Sequence, residues 1–130
     1  MKHQHLIVRA TVEQPPTDQI LARLQLQDLV ELIDMRILAG PYSEYSPLKG
    51  NQGLTVAAII ETSHIVLHTW DEQDPALVQL DVYSCKALDI TKVFDWFNQY
   101  KPRTLEYKFL DREGGLREIE QSEQPRSGQR

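Results

Sequence analysis

The sequence predicts an α+β fold, a two-layer sandwich of a mostly antiparallel sheet with helices on one face. Three observations lead to this prediction. Runs of β-branched and apolar residues are joined by short polar steps, which is typical of hairpins. A later run alternates apolar and polar side chains with a period of two. Segments with helical periodicity fall between the groups of strands, and this order favours helices packed against one face of an antiparallel sheet.

The first part of the chain reads as a strand, a helix and a second strand. Residues 5–12 are rich in β-formers and end before Pro15 and Pro16. Thr17 is then expected to cap a helix. The apolar residues of this helix recur at helical spacing: Ile20, Leu21, Leu24, Leu29, Leu32 and Ile33. Residues 35–42 look extended, and the glycines and prolines of residues 40–53 predict a loop.

The middle of the chain predicts a tight antiparallel hairpin. Residues 54–60 and 65–70 are β-branched and apolar, and the polar step of residues 61–64 separates them. Ser63 therefore lies at or near a turn. A third strand follows at residues 77–84, with one face formed by Val78, Leu80, Val82 and Ser84, and the other by Gln79, Asp81, Tyr83 and Cys85.

The last third predicts a helix, a strand and a tail. Asp89 is expected to cap an amphipathic helix that ends before Pro102, and residues 104–110 read as a strand. We expect one domain over residues 1–112. Residues 113–130 are polar and charged, which predicts a flexible tail.

The composition limits the classes of partner. The 130 residues carry a formal net charge of -5, with no basic patch, which argues against nucleic acid and anionic membrane surfaces. A cationic or zwitterionic small molecule fits better. Cys85 is the single cysteine, and residues 1–5 lack the apolar core of a signal peptide, so we expect a cytoplasmic protein. The four histidines show no convincing metal-ligand pattern, so no metal is expected.

Ser63 and its neighbours are the candidate reactive group. A serine hydroxyl in a strained turn can attack the preceding carbonyl, here that of Thr62. The resulting ester, after elimination and hydrolysis, leaves a pyruvoyl group whose ketone forms a Schiff base with an amine and accepts electrons during decarboxylation. In this hypothesis Thr55 bonds the oxyoxazolidine oxygen, His68 moves a proton during cleavage and Cys85 returns a proton to the product.

Each of these residues also has an ordinary structural interpretation. A serine in a hairpin is most often a turn former, and a histidine on a strand is most often hydrogen-bonded. A single cysteine at a strand end is usually a small buried apolar group. Glu72 belongs to an acidic turn that is simply solvated or that meets a cationic ligand.

A resemblance to a known family is carried by a set of residues in a fixed order: Gly53-Leu54-Thr55, Ser63-His64, His68-Thr69-Trp70, Glu72, Ala76, Asp81 and Cys85. This set resembles the bacterial and archaeal form of the S-adenosylmethionine decarboxylase proenzyme. The resemblance implies a two-layer α/β fold and a homodimer whose sites are shared across its two-fold axis. It also implies self-cleavage before a serine and decarboxylation of S-adenosylmethionine for spermidine biosynthesis.

Matched by position, the resemblance implies a role for four residues. Ser63 is the pyruvoyl precursor, His68 the processing histidine and Cys85 the proton donor, and Thr55 stands where the family usually has a processing serine. The chain departs from the pattern at Thr62, where the family has glutamate before the cleaved bond.

Two alternatives stay open. The segment of residues 72–81 is longer and less glycine-rich than in the family, which fits a related decarboxylase of arginine or ornithine. Thr62 before Ser63 fits an unprocessed relative that binds a ligand without catalysis.

Overall fold

The computed structural model describes residues 2–119, which form seven strands and two α-helices. The strands have alternating apolar side chains, and each helix has one apolar stripe. In chain order these elements are β1 (Gln4–Val12), α1 (Gln19–Leu32), β2 (Ile37–Ser46), β3 (Gly53–Ile60), β4 (Ser63–Trp70), β5 (Ala76–Ser84), α2 (Ile90–Phe97), β6 (Pro102–Asp111) and β7 (Arg117–Glu118). A short 3₁₀ turn, Asn98–Tyr100, follows α2. Among the described residues no helix is long and apolar enough to cross a membrane.

All the strands belong to one antiparallel sheet. Their spatial order is β2-β3-β4-β5-β1-β6-β7. The predicted hairpin is confirmed, because β3 pairs with β4 through Ile60 and Ser63 and only Glu61 and Thr62 connect them. The predicted two faces of β5 are also confirmed, since Val78, Leu80, Val82 and Ser84 are buried.

Both helices pack on the same side of the sheet. Leu26 and Leu29 of α1 and Phe97 of α2 are fully buried against it. The two helices are joined at Gln25, whose carbonyl oxygen accepts the Trp96 indole N–H at 2.8 Å and whose side-chain oxygen accepts the Tyr100 hydroxyl at 2.8 Å. This arrangement confirms the predicted α+β two-layer sandwich. Within residues 2–119 the other side of the sheet carries no helix, and we call it the open face.

Two local predictions were wrong. The helix cap is Asp18 and not Thr17, because the Asp18 carboxylate accepts the backbone N–H groups of Ile20 and Leu21 at 2.9 and 3.4 Å. The predicted loop of residues 40–53 is also shorter, since β2 runs to Ser46 and pairs with β3. Pro41 is tolerated there because β2 is an edge strand with a register shift at that point.

The sheet continues beyond the predicted domain boundary at residue 112. Leu110 and Asp111 of β6 pair with Glu118 and Arg117 of β7, and the Arg117 guanidinium lies 3.0 Å from the Asp111 carboxylate. The described part of the predicted tail, residues 113–119, therefore contains a short strand. The remainder, residues 120–130, lies outside the described residues.

Candidate active site

The turn between β3 and β4 has an unfavourable backbone. Thr62 has a φ of +52°, in the left-handed region that glycine and asparagine accept more readily than a β-branched residue. Such a conformation costs on the order of 1–3 kcal/mol. Ser63, the first residue of β4, follows immediately. The peptide bond between Thr62 and Ser63 thus follows a residue with a strained backbone.

The Ser63 hydroxyl is held on both sides. Its Oγ donates to the Glu61 carbonyl oxygen at 2.9 Å and accepts the Cys85 backbone N–H at 3.1 Å. The side chain is buried, with 7% of its surface exposed. The end of β5 therefore closes over the turn and fixes the serine oxygen beside it.

The Cys85 thiol lies at the same point. Its Sγ is 3.1 Å from the Glu61 carbonyl oxygen. Hydrogen bonding by the Thr62 side chain, and then by that of Ser63, lowers the pKa of Cys85, against opposing effects of burial and of the Glu61 carboxylate. We call Thr62, Ser63, Cys85 and the Glu61 carbonyl the Ser63 cluster. It combines a hydroxyl nucleophile, a neighbouring carbonyl and a thiol that can carry a proton.

A second pair of predicted residues meets on the open face. Thr55 and His68 are register partners in β3 and β4, and Thr55 Oγ1 lies 2.9 Å from His68 Nδ1. The His68 ring also contacts that of Trp70, with centroids 5.9 Å apart. The Thr55–His68 pair is therefore a hydroxyl and an imidazole joined by one hydrogen bond.

The structure does not bring the Thr55–His68 pair to Ser63 within one chain. His68 follows Ser63 by five positions along β4, which is about 17 Å at the usual rise of an antiparallel strand. The odd spacing also sends the two side chains to opposite faces of the sheet, with Ser63 on the helix side. That spacing is visible in the sequence, and sequence reasoning overlooked it.

Glu72 is engaged by a loop at the far end of β4. Both of its carboxylate oxygens lie 2.9 Å from the Gly50 backbone nitrogen, and one lies 3.2 Å from that of Gln52. The Trp70 indole N–H donates to the Asn51 side chain in the same loop at 2.8 Å. Glu72 thus pins residues 50–52 beside the Thr55–His68 pair and lies away from the Ser63 cluster.

Gly53 shows why that loop must come so close. A Cβ atom at this position would lie 1.6 Å from the Thr69 carbonyl oxygen, so no other residue fits without backbone movement. The glycine lets β3 begin directly against β4.

Sequence reasoning missed a polar cluster on the open face, formed by His5, His64, Asp81 and Tyr83. His5 Nε2 lies 2.5 Å and His64 Nε2 3.3 Å from the same Asp81 oxygen, and the two histidines flank Tyr83 in register. Burial raises the pKa of Asp81, but the hydrogen bonds from His5 and His64, and the charge that these imidazoles carry when protonated, outweigh it, so the pKa is lowered. The alternation of these strands was the available signal.

The two imidazole nitrogens and the Asp81 oxygen lie within 4.8 Å of one another, as metal ligands would. The contact between Arg112 and His5 favours a hydrogen-bonded network instead. Arg112 Nη1 lies 3.3 Å from His5 Nδ1, and a guanidinium only donates, so Nδ1 accepts and Nε2 carries the proton that faces Asp81. A metal-bound histidine normally has its second nitrogen as the donor.

Comparisons with known proteins agree on one family. A family profile described as S-adenosylmethionine decarboxylase matches residues 11–113. An S-adenosylmethionine decarboxylase proenzyme of Clostridium botulinum (strain Loch Maree) is 33% identical over 75 residues, which are 57% of this chain and 60% of that protein. The proenzyme of Archaeoglobus fulgidus is 28% identical over 94 residues, or 71% and 79% of the two chains.

The fold is matched by a solved structure. The crystal structure of the adenosylmethionine decarboxylase from Aquifex aeolicus superposes with a TM-score of 0.62 at 22% identity, over 96% of this chain and 98% of that one. At this identity the likeness shows the fold. The sequence match, in turn, spans less than two thirds of the Clostridium botulinum proteins.

Proposed function

Because the chain belongs to the S-adenosylmethionine decarboxylase family, we propose that it is a pyruvoyl-dependent decarboxylase of S-adenosylmethionine, made as a proenzyme that cleaves itself between Thr62 and Ser63. The observation that carries this proposal is the Ser63 cluster. It places a buried hydroxyl after a residue with a φ of +52° and beside the Cys85 thiol. The proposed place of the reaction is spermidine biosynthesis in the cytoplasm, where the free thiol of Cys85 is stable.

The cluster suits the first step of self-cleavage. Attack by Ser63 Oγ on the Thr62 carbonyl carbon closes a five-membered ring, and the strained φ of Thr62 is relieved as the bond to Ser63 nitrogen breaks. In the uncut chain the Ser63 hydroxyl donates to the Glu61 carbonyl oxygen, so the attack begins with a rotation of the Ser63 side chain toward the Thr62 carbonyl carbon. The strain at Thr62 and the confinement of the Ser63 hydroxyl thus provide part of the activation that an isolated serine lacks.

The product of this cleavage fits the residues around it. A pyruvoyl group supplies a carbonyl that takes up electrons as carbon dioxide leaves. Its precursor, Ser63, lies against the end of β5, and the Cys85 thiol beside it can deliver a proton to the product carbon. We assign Ser63 as precursor and Cys85 as proton donor.

We propose a homodimer that completes the site. The Thr55–His68 pair is about 17 Å along β4 from Ser63 of the same chain, so it can serve only the Ser63 of another copy. The open face that carries the pair also exposes Ile7 and Ile59, at 42% and 52% of their surfaces, which favours burial against a second sheet. We propose that in this dimer the Thr55–His68 pair of one copy meets the β3–β4 turn of the other. There the Thr55 hydroxyl bonds the oxyanion of the attacked carbonyl, and the His68 imidazole supplies a proton to that oxygen.

In the proposed homodimer, the acidic turn after β4, which lies away from Ser63 of its own chain, faces the substrate together with the Thr55–His68 pair. Asp71, Glu72 and Asp74 give it a negative charge that suits a sulfonium or an amine, and Glu72 also holds the loop of residues 50–52 in place. We therefore retain Glu72 as a substrate-binding residue. The same charge suits arginine or ornithine, which is the second candidate function.

Release of labelled carbon dioxide tests the proposal. Wild-type protein is given carboxyl-labelled S-adenosylmethionine, arginine and ornithine in parallel, with Ser63→Ala protein as the matched control. We expect release from S-adenosylmethionine alone, and none from the control. Release from arginine or ornithine alone would move the assignment to the second candidate. An uncut wild-type chain that releases nothing would support the unprocessed alternative.

A further inference from the structure

The Glu61 carbonyl oxygen has more donors than it can satisfy. Thr62 Oγ1 lies 2.7 Å from it, Ser63 Oγ 2.9 Å and Cys85 Sγ 3.1 Å. A carbonyl oxygen has two lone pairs. At any moment, therefore, one of the two hydroxyls or the thiol is free to bond elsewhere inside the Ser63 cluster.

The Cys85 sulfur is the alternative acceptor. When the thiol loses its proton it stops donating to Glu61, and a neighbouring hydroxyl can then donate to the thiolate sulfur. Hydrogen bonding by Thr62 is the largest cause that lowers the pKa of Cys85, followed by that of Ser63. Burial and the Glu61 carboxylate act in the opposite direction.

We propose that Thr62 is a positioning residue for Cys85, and that Cys85 so held accepts the Ser63 hydroxyl proton when self-cleavage begins. This inference rests on the proposed function. It gives Thr62 a task in the uncut chain, where its side chain and the Cys85 sulfur share one carbonyl partner.

The step balances without another reactant. The step starts from the Cys85 thiolate: its sulfur takes the proton from Ser63 Oγ, the oxygen forms a bond with the Thr62 carbonyl carbon, and the bond from that carbon to Ser63 nitrogen breaks. The thiol then passes the same proton to the freed nitrogen. The Thr55–His68 pair keeps its separate role at the oxyanion.

The placement of the other bases favours Cys85. His68 of the same chain is about 17 Å away along β4, and in the proposed homodimer His68 of the other copy serves the oxyanion of the attacked carbonyl. His64, although adjacent in sequence, points to the open face, where its Nε2 lies 3.3 Å from Asp81. Cys85 lies beside the serine. Its backbone N–H donates to Ser63 Oγ at 3.1 Å, and its thiol and the Ser63 hydroxyl share the Glu61 carbonyl oxygen.

The thiol itself provides the first test. Cys85 is the only cysteine, so the pH dependence of alkylation by iodoacetamide reports on it alone. The measurement uses uncut Ser63→Ala protein with Thr62 intact, and with Thr62→Val or Thr62→Ser added. Valine keeps the branched shape of threonine without its hydroxyl, and serine keeps the hydroxyl.

We expect Thr62→Val to slow alkylation at neutral pH by roughly threefold to tenfold, tenfold being about 1.4 kcal/mol, and Thr62→Ser to change it little. High pH should restore the valine variant, because the thiolate then forms without help. Equal rates for valine and threonine at every pH would overturn the inference, whether or not the wild-type chain cleaves itself.

Cleavage kinetics provide the second test. With Ser63 present, Thr62→Val should cut more slowly than wild type at neutral pH and recover as the pH rises, while Thr62→Ser should cut at nearly the wild-type rate. A valine variant slowed equally at all pH values would show a role in backbone shape alone and would overturn the inference. Failure of wild type itself to cut would count against the proposed function, and the alkylation result would stand separately.

Discussion

Ser63 and His68 lie on one strand, β4, yet their side chains leave opposite faces of the sheet. Ser63 is buried on the helix side beside Cys85, and His68 is bonded to Thr55 on the open face at 2.9 Å. A base that far from a nucleophile cannot serve it within the chain. The relationship makes the association of two copies a requirement of the proposed chemistry.

Complementation between two inactive variants tests that requirement. Neither Ser63→Ala nor His68→Ala protein alone should produce fragments efficiently. The first lacks the nucleophile, and the second lacks the imidazole that supplies a proton to the oxyanion. In a mixed dimer, the His68→Ala chain has an intact Ser63 and meets His68 of the Ser63→Ala chain. We expect coexpression to restore cleavage of the His68→Ala chain, measured by mass with distinguishable tags. Failure of coexpression to restore it would rule out the shared site.

Gly53 is expected to be irreplaceable. Gly53→Ala places a Cβ atom 1.6 Å from the Thr69 carbonyl oxygen, so β3 and β4 must separate at the loop that Glu72 holds. Urea unfolding should show a loss of about 3 kcal/mol or more in the free energy of unfolding. Gly114→Ala is the matched control, because nothing lies within 4 Å of its Cβ, and its effect should stay within about 0.5 kcal/mol. Comparable losses in both variants would contradict the packing argument.

Thr69 offers a stabilising substitution. Its hydroxyl is buried and, among residues 2–119, has no hydrogen-bond partner. Thr69→Val keeps the shape and removes the unsatisfied oxygen, so the free energy of unfolding should rise by about 1 kcal/mol. Chemical denaturation measures this difference. A clear loss of stability would mean that the hydroxyl has a bonded role.

The Asp81 network should make stability depend on pH. The pKa of Asp81 in the folded protein lies below 3.8 because the interactions with His5 and His64 outweigh burial. Between the folded pKa and the ordinary pKa of an aspartate, the folded state thus binds fewer protons than the unfolded state. The stabilisation is therefore present above the ordinary pKa and is lost as the pH falls through the folded pKa. Urea unfolding of wild type and Asp81→Asn from about pH 6 downward should show the wild-type advantage shrinking at the acid end. A constant difference would contradict the network.

Much of the fold followed from local sequence patterns. The alternation of Val78, Leu80 and Val82 identified the buried face of β5, and the polar step before Ile65 identified the hairpin. The helix cap was misplaced by one residue because Thr17 and Asp18 are both good caps, and only the backbone geometry decides between them. The length of β2 was underestimated because an edge strand accepts a proline that a central strand would not.

The site was predictable in its parts but not in its arrangement. The nearness of Ser63 to Cys85 depends on the pairing of β4 with β5, and that of Thr55 to His68 on the pairing of β3 with β4. Register partners are long-range relationships that composition does not reveal. The cluster around Asp81 also depends on the pairing of β1 with β5, which brings His5 beside Asp81 although the two residues are far apart in sequence.

Mass spectrometry of the denatured, purified protein tests the central claim most directly. We expect two fragments from wild type, separated between Thr62 and Ser63, with the C-terminal fragment blocked by a pyruvoyl group, and one intact chain from Ser63→Ala. A wild-type protein that stays a single chain after prolonged incubation, with an unmodified serine at position 63, would contradict it.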